Sequence, residues 1–411
     1  MFNITVEQSV LFKALEYLEP TVGKNTNALG DNCISMTIGK QSGVVEMYTT
    51  NTVEFTKLEM IAVIGQLPQG MSSVTAPYVD FKRFKGIISS IPSSEMITII
   101  SNQNDLYINY ALKKTPIKLN GCNNGMLPLP TNQFQSNTMV SIPKAYMNEA
   151  LSQVSSIIID NESAPIYNCV RLATNGLNVE FTAIDLTNKR TFVKLLTNTQ
   201  NNPNTDILIE ISKLKKSLKI FDDYLDLDIY SDQTAIRIDG VSLNSNALNG
   251  SGNGMITCIS YFMRRLTGVF PPNVRQNFYP FPNEFCEINK YEVFNSFKRI
   301  KALEDKTSGG QIEFEVNGNV CTFAMSSSYG QIRDDIVMEN TSTKAFKTII
   351  RHQTLTDILK VIDTDTFEIG ILPNHPANYV VKSKGKNDIM FTVPSMAVQK
   401  QQIQQQPVSE S

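Results

Sequence analysis

Six segments with helical spacing interrupt a chain that otherwise reads as strands, and their positions repeat. The apolar periodicity predicts helices over Val6–Leu18, Val79–Ile91, Pro143–Ile157, Ser212–Tyr224, Lys290–Leu303 and Gln353–Ile362. The first, third and fifth recur about every 140 residues, and so do the second, fourth and sixth. The text after each second-set helix repeats as well, as a turn, a strand, a turn and a strand: IPSSEMITIISNQNDLYINY, FDDYLDLDIYSDQTAIRID and VIDTDTFEIGILPNHPANYVV. This period is too long for a solenoid repeat, so each copy is large enough to hold a core of its own. The chain of 411 residues divides into three such periods. The expected architecture is α+β, with three copies of a domain that has two helices and an antiparallel sheet.

Boundaries between copies are expected in turn-rich text. The first copy is assigned 1–133, the second 134–281 and the third 282–398. The second boundary lies in the proline-bearing stretch Phe270–Asn283, where proline restricts the backbone and favours an extended connector. Two polar stretches, Thr197–Asp206 and Ser242–Gly254, read as exposed loops of the second copy. Residues 399–411, QKQQIQQQPVSES, cannot bury much apolar surface and are expected to be disordered.

Composition narrows the function classes. Lys plus Arg number 37 against 39 for Asp plus Glu, a net charge of -2, so a strongly basic nucleic-acid binder is not expected and any basic surface must be local. The six cysteines (Cys33, Cys122, Cys169, Cys258, Cys286, Cys321) form no CxxC pair and lie near no histidine, which argues against zinc and against a disulfide framework. They are expected to be reduced, buried thiols. No GxSxG, HExxH or GxxxxGK[ST] segment is present, and His352 and His375 read as incidental surface residues. Neither a signal peptide nor an apolar run of membrane-spanning length occurs, so a cytoplasmic protein is expected, without a membrane partner.

The order of these segments resembles the bacterial and phage DNA polymerase III beta subunit family, the sliding clamps, over nearly the whole chain. ITVEQSVLFKALEYLEPTVG is similar to that family's first strand and helix, APYVDFKRFKGIISSIP to its second helix, and NKYEVFNSFKRIKALED to the first helix of its third domain. GVFPPNVRQNFYP (Gly268–Pro280) is the most specific match, resembling the segment that closes the second domain, and DIMFTVPSMAV resembles the final strand. Two departures fall at the family's partner pocket: FTAIDLTNKRTF keeps Asp185 and Arg190 but lacks the family's histidine, and Met396 stands where the family ends in arginine. Such divergence looks more like a phage or mobile-element clamp.

The resemblance implies a head-to-tail homodimer, closed as a ring of six domains with twelve helices lining a hole. It implies a non-enzymatic processivity factor, without a cofactor, that encircles double-stranded DNA and tethers the replicative DNA polymerase and other DNA enzymes. Loading would need a separate ATP-dependent clamp loader, because this chain has no phosphate-binding loop. Encirclement needs little affinity for bases, so contacts to phosphate without sequence preference are expected. The DNA-facing candidates are Lys24, Lys82, Arg83, Lys85, Lys213, Lys215, Lys216, Lys219, Lys298 and Arg299, with Lys301 beside them. Lys213, Lys216 and Lys219 are expected to form one basic stripe opposite Leu214 and Leu218. Alone, each cluster reads as a solvated helix face; recurrence in several copies favours nucleic acid.

A groove for short extended peptides is implied at Leu186, Thr187, Pro271, Arg275, Thr354, Val393, Pro394, Ser395 and Met396, with apolar anchors setting affinity. The ring seam is implied at Ile117, Leu119, Ala302 and Leu303. Two other classes compete. One is a β-rich structural or assembly protein of a phage or mobile element. The other is an enzyme with a metal at Asp222, Asp223 and Asp226, although these follow a basic helix and begin a strand, as surface turns do.

Overall fold

The computed structural model describes residues 1–411 except 24–31, 40–42, 66–70, 72, 123–133, 135–138, 156–157, 159–163, 186–189, 244–254, 267, 269, 272–273, 275–277, 279, 306–308, 374 and 396–411. At 198–201, 242–243 and 375–377 it describes the backbone alone.

The predicted repeat is visible in the order of elements. The first copy runs β1 (Asn3–Glu7), α1 (Gln8–Leu18), β2 (Cys33–Ile38), β3 (Val44–Thr50), β4 (Glu54–Ile61), the short β5 (Val63–Ile64) and β6 (Val74–Thr75), β7 (Val79–Asp80), α2 (Phe81–Ser89), β8 (Met96–Asn102), β9 (Asp105–Tyr110) and β10 (Ile117–Asn120). The second runs β11 (Met139–Pro143), α3 (Lys144–Ser155), two long strands β12 (Cys169–Asp185) and β13 (Arg190–Glu210), α4 (Ile211–Ile220), β14 (Tyr224–Ser231), β15 (Ala235–Leu243) and β16 (Met255–Arg264). The third runs β17 (Cys286–Asn289), α5 (Lys290–Ala302), β18 (Gln311–Asn317), β19 (Val320–Ser327), β20 (Gly330–Val337), β21 (Phe346–Arg351), α6 (His352–Val361), β22 (Thr366–Leu372), β23 (His375–Ser383) and β24 (Ile389–Pro394).

All six helices stand where the periodicity puts them. Only α4 ends well short of its predicted limit, because Phe221–Asp223 form a turn and Tyr224 already opens β14. In α1, Leu11, Ala14, Leu15 and Leu18 lie at helical spacing and are fully buried. Caps set two starts: the Asp80 carboxylate accepts from the Arg83 amide at 2.9 Å before α2, and Asn289 accepts from the Tyr291 amide at 2.9 Å before α5.

Compact packing divides the chain into two units, the first comprising 1–149, 174–177 and 198–267, the second 150–173, 178–197 and 268–411. In the first unit β4 pairs antiparallel with β16, from Glu54 opposite Met263 to Ile61 opposite Met255, so strands of the first and second copies share one nine-stranded sheet. In the second unit β13 pairs antiparallel with β24 through Phe192–Phe391, Val193–Met390 and Lys194–Ile389, joining the second copy to the third. Strand alternation then sorts side chains by face. Tyr261 is fully buried on one face of the first join, while its neighbour Phe262 packs with Tyr48 and Phe55 on the other.

The cysteines are all free; four are buried, whereas Cys122 and Cys258 are only half-buried, a correction to the expectation of six buried thiols. Burial pushes the Cys286 thiol up to about 11 and that of Cys321 to about 12, so both stay protonated at neutral pH. His352 is not a surface residue: it is buried, with Nε2 3.2 Å from Glu304 and its ring edge-on to Phe297, because it opens α6 facing the core. The His375 side chain and the segment 399–411 lie outside the described residues.

Candidate functional site

The basic residues of the helices separate into two groups once their partners are seen. In α2, Phe81, Phe84 and Ile88 are buried at helical spacing, which turns Lys82 and Arg83 outward. Lys85 bends back to Glu19 at 2.7 Å and sits over the Phe12 ring. In α4, the buried Ile211, Leu214 and Leu218 leave Lys215 and Lys219 exposed. Lys213 is buried and paired with Glu210 at 2.9 Å, and Lys216 pairs with the buried Glu54 of β4. The predicted stripe of Lys213, Lys216 and Lys219 is therefore not a basic face; two of its three members join the helix to strands. In α5, Lys298 and Lys301 are exposed, while Arg299 reaches Asp334 of β20 at 2.9 Å. Lys24 lies outside the described residues.

Six cations thus point outward with no ion-pair partner among the described residues: Lys82, Arg83, Lys215, Lys219, Lys298 and Lys301. The other three helices differ. Lys13 of α1 pairs with Asp223 at 3.0 Å, Lys144 of α3 with Asp222 at 3.2 Å, and Lys360 of α6 with Asp357 at 3.3 Å.

Those pairs also account for the acidic turn. Burial disfavours the charged form of Asp223, but the Tyr17 hydroxyl donating to it and Lys13 beside it outweigh that and hold its carboxyl below the usual range. Burial, then the same carboxylate, pushes the Tyr17 phenol upward. Among the described residues no group of three or more His, Cys, Asp and Glu is arranged to hold a metal.

The groove candidates all belong to the second unit. Leu186, Thr187, Arg275 and Met396 lie outside the described residues. What flanks 186–189 is well defined: Arg190 donates to Asp185 through Nε at 3.0 Å and Nη2 at 2.7 Å, with both side chains almost fully buried. Arg190 Nη1 also lies 3.8 Å from Asp357 of α6, which in turn accepts from Gln353 at 2.7 Å. A fork of this kind orients two carboxylates at once, which a lysine cannot do. It ties the end of β12 and the start of β13 to α6, while α6 packs on β24. Thr354 and Val393 are buried, whereas Pro271, Pro394 and Ser395 are half-buried.

No protein-family model and no curated protein matches this chain. Solved structures do. The DNA polymerase III subunit beta of Pseudomonas aeruginosa bound to griselimycin superposes with a TM-score of 0.74 at 12% identity, covering 97% of this chain and 100% of that one. The DNA polymerase sliding clamp of Bacillus subtilis gives 0.70 at 15%, over 96% and 99%, and the beta subunit of Thermotoga maritima 0.70 at 14%, over 97% and 100%. The chain has the sliding-clamp fold.

Within this clamp fold the seam candidates occupy two places. Ile117 and Leu119 lie on β10, the end strand of the five-stranded sheet, with Leu119 buried and Ile117 half-buried. Ala302 is the exposed last residue of α5 and Leu303 its half-buried cap. The side chains that sequence reasoning missed are the acidic partners: Glu19, Glu54, Asp334 and Asp357 are remote in sequence from the cations they hold, and no local spacing announces them.

Proposed function

We propose that this chain is a DNA sliding clamp, a non-enzymatic processivity factor of the cytoplasm and nucleoid. Its three copies, 1–133, 134–281 and 282–398, would form half of a ring that closes head to tail with a second chain. The observation that carries this reading is that each of the three copies has one helix with two outward cations that have no ion-pair partner among the described residues: Lys82 and Arg83 on α2, Lys215 and Lys219 on α4, and Lys298 and Lys301 on α5. These are the second helix of the first two copies and the first helix of the third. A repeated but sparse set of phosphate contacts suits a protein held on DNA by topology, since dense contacts would slow sliding.

The strand order supports ring closure. By position in the repeat, β10 is the counterpart of β16 and β24, and β20 the counterpart of β4 and β13. The other four are joined in pairs inside the chain, whereas among the described residues β10 and β20 are sheet ends. In this reading β20 and the end of α5, with Ala302 and Leu303, meet β10 with Ile117 and Leu119 of a second copy, which removes both open edges. The groove framed by Asp185, Arg190 and Asp357 would receive short peptides of the replicative polymerase and of an ATP-driven loader, with Leu186, Thr187, Pro271, Arg275, Thr354, Val393, Pro394, Ser395 and Met396 around it.

The test is retention on circular plasmid in the presence of a loader. The expected result is a dimer that stays on closed circles and is lost when the plasmid is cut once. Equal retention on linear and circular DNA overturns the reading.

A further inference from the structure

In two of the three copies the chain segment that leaves the copy covers one face of the sheet at the join; in the third, residues 396–411 lie outside the described residues. In the first unit the segment after β10, residues 121–138, brings Phe134 perpendicular to Phe262 with ring centres 5.8 Å apart, on the face opposite the buried Tyr261. Arg237 lies over the same Phe134 ring at 5.3 Å. In the second unit the segment after β16, residues 265–285, brings the fully buried Phe278, with Phe281 and Phe285 beside it, against Val193 and Met390, on the face opposite Phe192 and Phe391. Each connector matches its floor: aromatic on aromatic in the first, aromatic on aliphatic in the second.

The corresponding face of the third copy lies on the far side of β18–β21 from α5, whose Phe297 packs on Phe323 of β19. It carries a groove of about 620 Å³ floored by the small Ala324 and Ser326 and walled by Gln311, Glu313, Gln331 and Arg333. Its walls are polar and carry the amides of Gln311 and Gln331, unlike the apolar floors under the two connectors. In chain order, the counterpart of the two connectors is the segment after β24, QKQQIQQQPVSES with the few residues before it.

We propose that residues 396–411 lie across the outer face of the β18–β21 sheet, with Gln side chains hydrogen-bonded along the Ala324–Ser326 groove. The segment has no core of its own, so any order in it must come from a surface that satisfies its amides. Reach is ample: sixteen extended residues span about 50 Å, and crossing four strands takes roughly 15 Å. Ile403 and Val408 are its apolar contacts, and Ile349 borders the same groove.

Trypsin provides the test, because Lys400 is the only basic residue in the segment. In the full chain cleavage after Lys400 is slow, and Ala324→Trp, which fills the groove, speeds it roughly tenfold or more, the factor that loss of about 1.4 kcal/mol of docking produces. Hydrogen exchange gives an independent readout without a substitution in the sheet: a chain ending at Ser395 exchanges faster than the full chain in peptides covering 311–335. Equal cleavage at Lys400 with and without the tryptophan, together with unchanged exchange, overturns the proposal. Protection that rises with protein concentration overturns it also, because it assigns the groove to the segment of a second copy.

Discussion

The joins in the two units use the same antiparallel pairing and different side chains. At the β4–β16 join, Phe55 and Phe262 pack edge-on at 5.4 Å, Tyr48 tilts against Phe55 at 5.5 Å, and Phe134 closes the cluster. At the β13–β24 join a single aromatic pair, Phe192 and Phe391 at 5.3 Å, is accompanied by the fully buried Lys194 near Gln153 and by the Arg190 fork. The first join is held mainly by packing, the second by packing around satisfied charge. A repeated backbone therefore does not impose a repeated chemistry, and the two joins will fail in different ways.

Removing packing should break the first join hardest. Phe262→Ala is expected to cost about 3–5 kcal/mol by emptying an aromatic cluster, read as a shift in the denaturant midpoint reported from the first unit. In the second join the comparable change is electrostatic. Arg190→Met leaves the buried Asp185 without its fork and is expected to cost about 3 kcal/mol or more, whereas Arg190→Lys recovers only part of it. If Arg190→Met is neutral in the same denaturation experiment, the contrast between the joins is wrong.

Smaller effects separate structural cations from free ones. Lys216→Ala removes the cation paired with the buried Glu54 and should cost about 1–3 kcal/mol, without changing how DNA binding depends on salt. Lys215→Ala and Lys219→Ala should do the opposite: stability within about 0.5 kcal/mol, and a salt slope of duplex binding reduced by about 0.9 for each phosphate no longer neutralised. Titrating both sets against salt checks the division directly.

Acid offers a last distinction. Asp223 has a lowered native value, so its contribution is complete above the ordinary carboxylate range near about pH 4 and disappears as pH falls through the lowered value. Asp223→Asn should lower the melting temperature at neutral pH, where that contribution is complete, and leave melts in strong acid least affected, so that the acid limb flattens.

How much of this was legible without coordinates follows from the range of each interaction. The repeat was legible because helices bury residues three and four apart, as Leu11, Ala14, Leu15 and Leu18 do, and that spacing is written locally. The outward cations were legible only in part. Lys82 and Lys215 behave as the spacing of α2 and α4 suggests, while Lys213, Lys216 and Arg299 have the same local signal and a different fate. Their fate is set by Glu210, Glu54 and Asp334, two of which come from other strands altogether.

The sequence by itself determined the α+β class, the three copies and the six helices, because periodicity depends on neighbours along the chain. The tertiary structure alone decided which strands join, which cations remain free, and that His352 is buried against Phe297 and Glu304. Those outcomes depend on groups brought together from distant positions, and a carboxylate dozens of residues away leaves no trace in the spacing of the lysine it neutralises.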